Sequence, residues 1–217
     1  LPFARRGPIV PVVRLSGVIG RIGAVRSGLT LAGLAPALER AFRLRGATAV
    51  ALAINSPGGS PVQSSLIHGR IRALAGEKRL PVLAFIEDVG ASGGYWIACA
   101  ADEIYADANS IVGSIGVRLD SFGLVGLMER WGIERRLFTA GEKKGFLDPF
   151  LPLQEEEVEH VKGVIDQIHD QFINVVREGR GDRLQDNGEL FSGLVWTGVD
   201  SVALGLIDGL GDDRTVA

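Results

Sequence analysis

Short, almost wholly apolar runs alternate along this chain with longer segments whose apolar residues recur at helical spacing. "PIVPVVRL" (8–15), "TAVALAIN" (48–55) and "RLPVLAFIE" (79–87) are aliphatic or β-branched stretches of strand length. Between and after them, 29–46 and 62–77 read as helices, with Pro36 the one objection to the first and Gly46 its plausible stop. A longer helix is predicted over 154–181. There Val158, Val161, Ile165, Ile168, Phe172 and Val175 make one stripe, and Glu155, Glu156 and Glu157 sit where the positive end of the helix dipole favours them. Continuous apolar strands alternating with helices predict an α/β fold with a mostly parallel sheet covered on both faces. "IERRLF" (133–138) reads as a further strand. Residues 1–8 read as a loose end and 9–217 as a single domain, with no internal repeat, low-complexity tract or long linker.

Composition narrows the function classes. The 217 residues are 46% hydrophobic, enough for one sizeable core. A net charge of −3 offers no basic face for nucleic acid, so no nucleic-acid partner is expected. The single Cys99 excludes a disulfide within the chain and sits in "IACAAD", where a small buried residue is expected. No run of about 18 apolar residues is present to span a membrane.

Candidate chemistry begins at "VGASGG" (89–94). A strand, a bare glycine turn and a helix in that order place the Ser92 hydroxyl at the mouth of the sheet, beside unpaired backbone amides. "GASGG" alone matches G-x-S-x-G, which small-residue turns also satisfy by chance. A second glycine turn, "INSPGGSP" (54–61), also follows a buried strand and precedes a helix. Two such turns at the same end of adjacent strands converge where open α/β sheets usually bind ligands, and each could supply one oxyanion donor.

A serine nucleophile at neutral pH needs a base. Of the three histidines, His68 falls on the helix after the second turn, while His160 and His169 fall on the long helix, where packing or solvated roles are expected. The late "GLIDGLGDDRTVA" holds acids but no histidine, which argues against an α/β-hydrolase triad. Lysine can replace histidine where burial keeps its amine neutral. "FTAGEKKGFLDPF" (138–150) offers Lys143 and Lys144 in a loop before the long helix.

Taken together, "NSPGGS", "ASGGYWIA", "IVGSIGV", "AGEKKGFLDPF" and "WTGVDSVALGLIDGLGD", in this order, resemble the signal peptide peptidase A family, serine peptidase family S49. The resemblance covers most of the chain from "PVVRLSGVIG" onward. It implies the fold of Clp protease and crotonase and a Ser–Lys dyad that cleaves peptides through an acyl-enzyme. Ser92 would be the nucleophile. Lys144 would be the base, because the family lysine stands three after a glycine and five before a proline, here Gly141 and Pro149. Ser114 would orient the lysine amine, Lys143 would be its solvated neighbour, and the amides of Gly59 and Gly93 would form the oxyanion hole. The scheme requires no metal and no organic cofactor.

Further expectations come with that resemblance. Many members carry an N-terminal membrane anchor, and none is visible here. Either an anchor lies upstream or the chain is a soluble short form that degrades peptides in the cytoplasm or at the inner membrane surface. With no second copy of the domain, the chain resembles forms that assemble as homo-oligomeric domes or rings. Substrates are expected to be signal-peptide remnants or other hydrophobic peptides. Three other readings compete: a crotonase-like acyl-CoA enzyme, a catalytically silent peptide-binding scaffold, and an esterase dependent on His68, His160 or His169.

Overall fold

A computed structural model of the chain describes residues 7–22, 26–185 and 187–216. Most of the loose N-terminal end, residues 1–6, lies outside the described residues. The chain divides into two compact units, one of residues 1–116 and 171–217 and one of residues 117–170.

The first unit is built on a seven-stranded sheet. β1 (Val12–Ser16), β4 (Val50–Ser56), β5 (Val82–Ala91), β6 (Glu103–Ala106) and β9 (Gly209–Leu210) lie side by side in that order, every pair parallel. β7 (Ile111–Gly113) pairs in parallel with the end of β5, and β8 (Val195–Thr197) closes that side as the one antiparallel pairing. β2 (Arg21–Ile22) and β3 (Arg26–Ser27) form a separate antiparallel pair.

The central strands have no polar face because helices cover both sides. Val50 to Ile54 are all buried, and Ala84, Phe85 and Ile86 continue the layer on β5. Each fully buried aliphatic side chain of this size contributes about 1.5–3 kcal/mol of transfer free energy.

α1 (Leu31–Arg43) presents Leu34, Leu38, Ala41 and Phe42 to the core, one stripe at helical spacing. Thr30 caps its start by accepting from the Gly33 amide. Pro36 does not interrupt it: the carbonyl deprived of a donor is that of Ala32, on the exposed side where water can reach it. α2 (Pro61–Lys78) begins with proline in its first turn after the Ser60 cap and buries Ser64, Ile67, Ile71 and Leu74. α3 (Gly93–Ala98) is buried at every position.

α5 (Glu155–Arg180) has the predicted extent to within one residue at each end. From Gln171 onward it belongs to the first unit, where Phe172 stacks on Trp96 at 4.8 Å between ring centroids. The unit is completed by a 3-10 turn over Gly181–Arg183 and by α6 (Gly198–Ala203), which Thr197 caps.

Arg180 is wholly buried and bonds Asp208 at 2.7 Å and the Gly205 carbonyl at 2.9 Å, tying the end of α5 to the C-terminal strand. Asp208 also accepts from the Ile104 amide and from Arg183.

The second unit contains α4 (Val125–Trp131), a series of turns over 140–150, and the first part of α5. The expected strand over 133–138 does not form. Ile133 and Phe138 are exposed, and no described strand pairs with this stretch, so its backbone groups have no ladder to join. No helix among the described residues is long and apolar enough to cross a membrane.

Candidate active site

Ser92 occupies the point where β5 becomes α3. Its backbone takes φ 51° and ψ −125°, a combination that residues with a Cβ rarely adopt. Two hydrogen bonds hold it there: its amide donates to the Gly113 carbonyl at 2.8 Å, and its carbonyl accepts from the Trp96 amide at 3.0 Å. The side chain does not cap the helix it precedes. Half-buried and with no hydrogen-bond partner among the described residues, the hydroxyl is turned away from local backbone bonding and is available for chemistry.

The second glycine turn lies directly against this serine. β4 and β5 pair in parallel, and the register slips between Ile54 and Ser56, so that Ser56 stands opposite Gly90. Gly58 follows with φ 99° and Gly59 with φ 143°, both on the side of the map where glycine alone is comfortable. The turn is fixed from two directions. The Ser56 hydroxyl accepts from the Gly58 amide at 3.2 Å. The segment before β2 runs alongside it, with Ile19 donating to the Gly58 carbonyl at 2.8 Å and accepting from the Ser60 amide at 2.9 Å.

Close packing explains the absent side chains. A Cβ on Gly58 would stand 2.7 Å from the Gly93 nitrogen and from the Ser92 Cβ. One on Gly93 would meet the buried Ser64 hydroxyl at 2.4 Å and stand 3.4 Å from the Gly59 nitrogen. One on Gly94 would meet the Ser56 carbonyl at 2.4 Å. Neither the Gly59 amide nor the Gly93 amide has an acceptor among the described residues. Two unsatisfied donors beside an unpartnered serine hydroxyl can together hold a developing negative charge.

Ser114 is brought to the same place. It follows β7, whose Gly113 pairs with Ala91, and it too has a positive φ, 53°. The Ser114 amide donates to the Leu194 carbonyl at 2.7 Å. The first unit therefore gathers Ser92, Gly59, Gly93 and Ser114 at the ends of β4, β5 and β7.

Lys144 belongs to the second unit, where it is exposed. Consecutive turns hold its loop: the Lys144 amide donates to the Gly141 carbonyl at 3.1 Å, and the Phe146 amide to the Lys143 carbonyl at 3.1 Å. Arg135 anchors the far end through Asp148 at 2.7 Å and packs over the Phe150 ring, so the guanidinium holds the Asp148 carboxyl below the usual range. The two lysines differ in their neighbours. Lys143 is paired with Glu156, whereas the Lys144 ammonium has no ion-pair partner among the described residues.

His68 lies on α2 of the first unit, and His160 and His169 belong to the second. His160 stands edge-on to Phe146 at 5.5 Å within the second unit. Burial, then the nearby Arg72, holds the His68 imidazole below its usual value, against the raising pull of the Cys99 backbone and Glu178. Cys99 is inert: burial pushes its thiol up to about 12, against the pull of Arg180.

Sequence reasoning missed Ser56, Ser64 and the tight seat at Gly58. Their signal was faint: small polar residues at the end of a buried strand and in the first turn of the following helix.

Comparison with known proteins places the chain in a family. The model of peptidase family S49 matches residues 75–217, a stretch that includes Ser92, Gly93, Ser114 and Lys144. The chloroplastic serine protease SPPA of Arabidopsis thaliana is 35% identical over 164 residues, covering 75% of this chain and 24% of that protein. Protease 4 of Haemophilus influenzae is 32% identical over 178 residues, covering 82% and 29% respectively. A protein of Brucella abortus named Na(+)/H(+) antiporter NhaA is 55% identical over 207 residues, which is 95% of this chain but 28% of that protein. The chain thus spans under a third of each of these three relatives, and the antiporter name describes a protein of which this stretch is the smaller part.

Proposed function

The chain belongs to peptidase family S49, and from that premise we propose that it is a serine endopeptidase in which Ser92 attacks and Lys144 is the general base. The observation that carries the reading is Ser92 itself. It is an unpartnered hydroxyl on a backbone with φ 51°, beside two glycine amides that have no acceptor among the described residues.

In this mechanism Lys144 takes the Ser92 proton as the oxygen attacks a peptide carbonyl. The Gly59 and Gly93 amides bind the oxyanion of the tetrahedral intermediate, and the lysine returns the proton to the leaving amine. Water then enters by the same route, cleaving the acyl-enzyme and releasing the acid. Ser114 serves as the hydrogen-bond partner that orients the amine. Lys143, held by Glu156, is left out of the reaction.

Substrates in this reading are extended hydrophobic peptides, signal-peptide remnants among them, as the family resemblance implies. Assembly of several copies, each bearing both dyad residues, belongs to the same proposal. So does action in the cytoplasm or at the inner membrane surface.

The test is hydrolysis of a short hydrophobic fluorogenic peptide as a function of pH by wild type, Ser92→Ala, Lys144→Ala and Lys143→Ala. The expected result is a rate that rises with pH, falls to background for Ser92→Ala and Lys144→Ala, and survives in Lys143→Ala. Full activity in Lys144→Ala would overturn the dyad, and activity in Ser92→Ala would overturn the nucleophile.

A further inference from the structure

At the opposite end of α3 from Ser92, a cavity of about 340 Å³ opens between α2, the residues after α3 and the end of α5, entirely within the first unit. Its floor is a forced backbone approach: a Cβ on Gly179 would stand 2.8 Å from the Cys99 carbonyl, so α5 can pass this close only with glycine there. The groups around it are charged, and most are already committed. Arg183 spends its donors on the carbonyls of Arg180, Asp102 and Gly179 and on Asp208. Arg72 uses one nitrogen, Nη1, on the Ala100 carbonyl at 3.1 Å and on Asp102 at 3.0 Å.

What remains is complementary in sign. Nε and Nη2 of Arg72 have no acceptor, and the Glu178 carboxylate has no hydrogen-bond or ion-pair partner, among the described residues. His68 stands between them in charge terms, feeling Arg72 and Glu178 with opposite sign. With His68 neutral, two guanidinia and two carboxylates line the space, so an occupant with a net charge gains nothing overall. An occupant with one carboxylate and one ammonium can satisfy both free groups at once.

We infer that this cavity binds a short zwitterionic peptide, its carboxylate on Arg72 and its ammonium on Glu178. The volume admits a molecule of about dipeptide size. The site is separate from the Ser92 turn and does not depend on whether the chain cleaves peptides.

The test is calorimetric titration of the full chain carrying Ser92→Ala, so that no hydrolysis contributes heat. The probes are alanyl-leucine, N-acetyl-alanyl-leucine and alanyl-leucinamide, and each titration is repeated with Glu178→Gln added. Glu178 is exposed, so the amide variant should fold. Alanyl-leucine is expected to bind, and each blocked probe to bind more weakly. Glu178→Gln should weaken alanyl-leucine about fivefold, the scale of one solvent-accessible ion pair, while leaving the N-acetyl probe unchanged. Absence of binding at millimolar alanyl-leucine, equal binding of the three probes, or equal affinity in Glu178→Gln would each overturn the inference. Because no readout requires cleavage, loss of the peptidase reading would leave this result intact.

Discussion

Gly58 and Ser92 touch through space in a way that neither residue could with any other side chain at position 58. A Cβ on Gly58 would stand 2.7 Å from the Ser92 Cβ and 2.9 Å from its Oγ. The turn at Gly58 and Gly59 and the turn at Ser92 are thus one packed object, and the geometry of each depends on the other.

Gly58→Ala should consequently damage fold and activity together. The new methyl would meet the Gly93 nitrogen as well as Ser92, and φ 99° is itself unfavourable for alanine. Clash and strain together should cost about 3 kcal/mol or more. Adding Ser92→Gly should recover no more than the strain glycine relieves at position 92, because the Gly93 nitrogen remains in the way. Urea unfolding of the single and double variants checks this, and recovery beyond that in the double variant would show that the serine side chain alone sets the constraint.

Ser92 carries backbone strain that glycine would relieve. Ser92→Ala keeps the strain and Ser92→Gly removes it, and both remove the hydroxyl. Ser92→Gly is expected to be about 1 kcal/mol more stable than Ser92→Ala, the lower part of the usual strain range because glycine also loosens the unfolded chain. Thermal unfolding of the two proteins should place the glycine variant higher. If they coincide, the φ of 51° is not stored strain.

Much of this site is legible in the sequence, and the reasons are local. Continuous aliphatic runs announced β4 and β5, and the glycine-serine turn announced Ser92, because both depend on a few neighbouring residues. The seat of Gly58 against Ser92 was not legible, since only tertiary pairing of β4 with β5 creates it. The stretch 133–138 misled for a related reason. Its residues favour a strand, but a strand is fixed by its partner, and here the described residues supply none. The helix read across Pro36 does form, since the proline sits where the helix can spare one donor. Lys144 was singled out by resemblance to a motif, because an exposed lysine beside a second lysine carries no local mark of catalysis.

Arg180 and Asp208 should set the acid limit of the first unit. Burial works against ionisation of Asp208, but the bonds from Arg180 and the Ile104 amide outweigh it and leave the carboxyl below its ordinary value. A depressed carboxylate stabilises the fold above the unfolded value of about 3.9, and that stability is lost as pH falls below it. Asp208→Asn should cost about 3 kcal/mol at neutral pH, since it strands a buried guanidinium. The difference from wild type should shrink as pH drops below about 4. Denaturant melts at neutral and acid pH measure both, and a difference that stays constant with pH would show that Asp208 acts by packing alone.

Ser56 offers the sharpest test of how the oxyanion turn is held. It is buried at the end of β4, and its hydroxyl accepts the Gly58 amide at 3.2 Å, immediately before the Gly59 amide proposed to bind the oxyanion. Removing the hydroxyl leaves the Gly58 amide without an acceptor and frees the turn to rotate, which should misalign a donor that matters only when negative charge develops. Ser56→Ala is therefore expected to lower kcat about tenfold or more with little change in KM, the signature of an interaction made in the transition state. Ser56→Thr keeps the hydroxyl and should recover much of kcat if the added methyl is accommodated. The stability cost of Ser56→Ala should be about 1–3 kcal/mol, the range for orphaning a buried donor. A variant that loses that stability yet keeps wild-type kcat in steady-state peptide hydrolysis would show that Ser56 supports the strand end and not the oxyanion donor. A rise in KM alone would point to ground-state peptide binding instead.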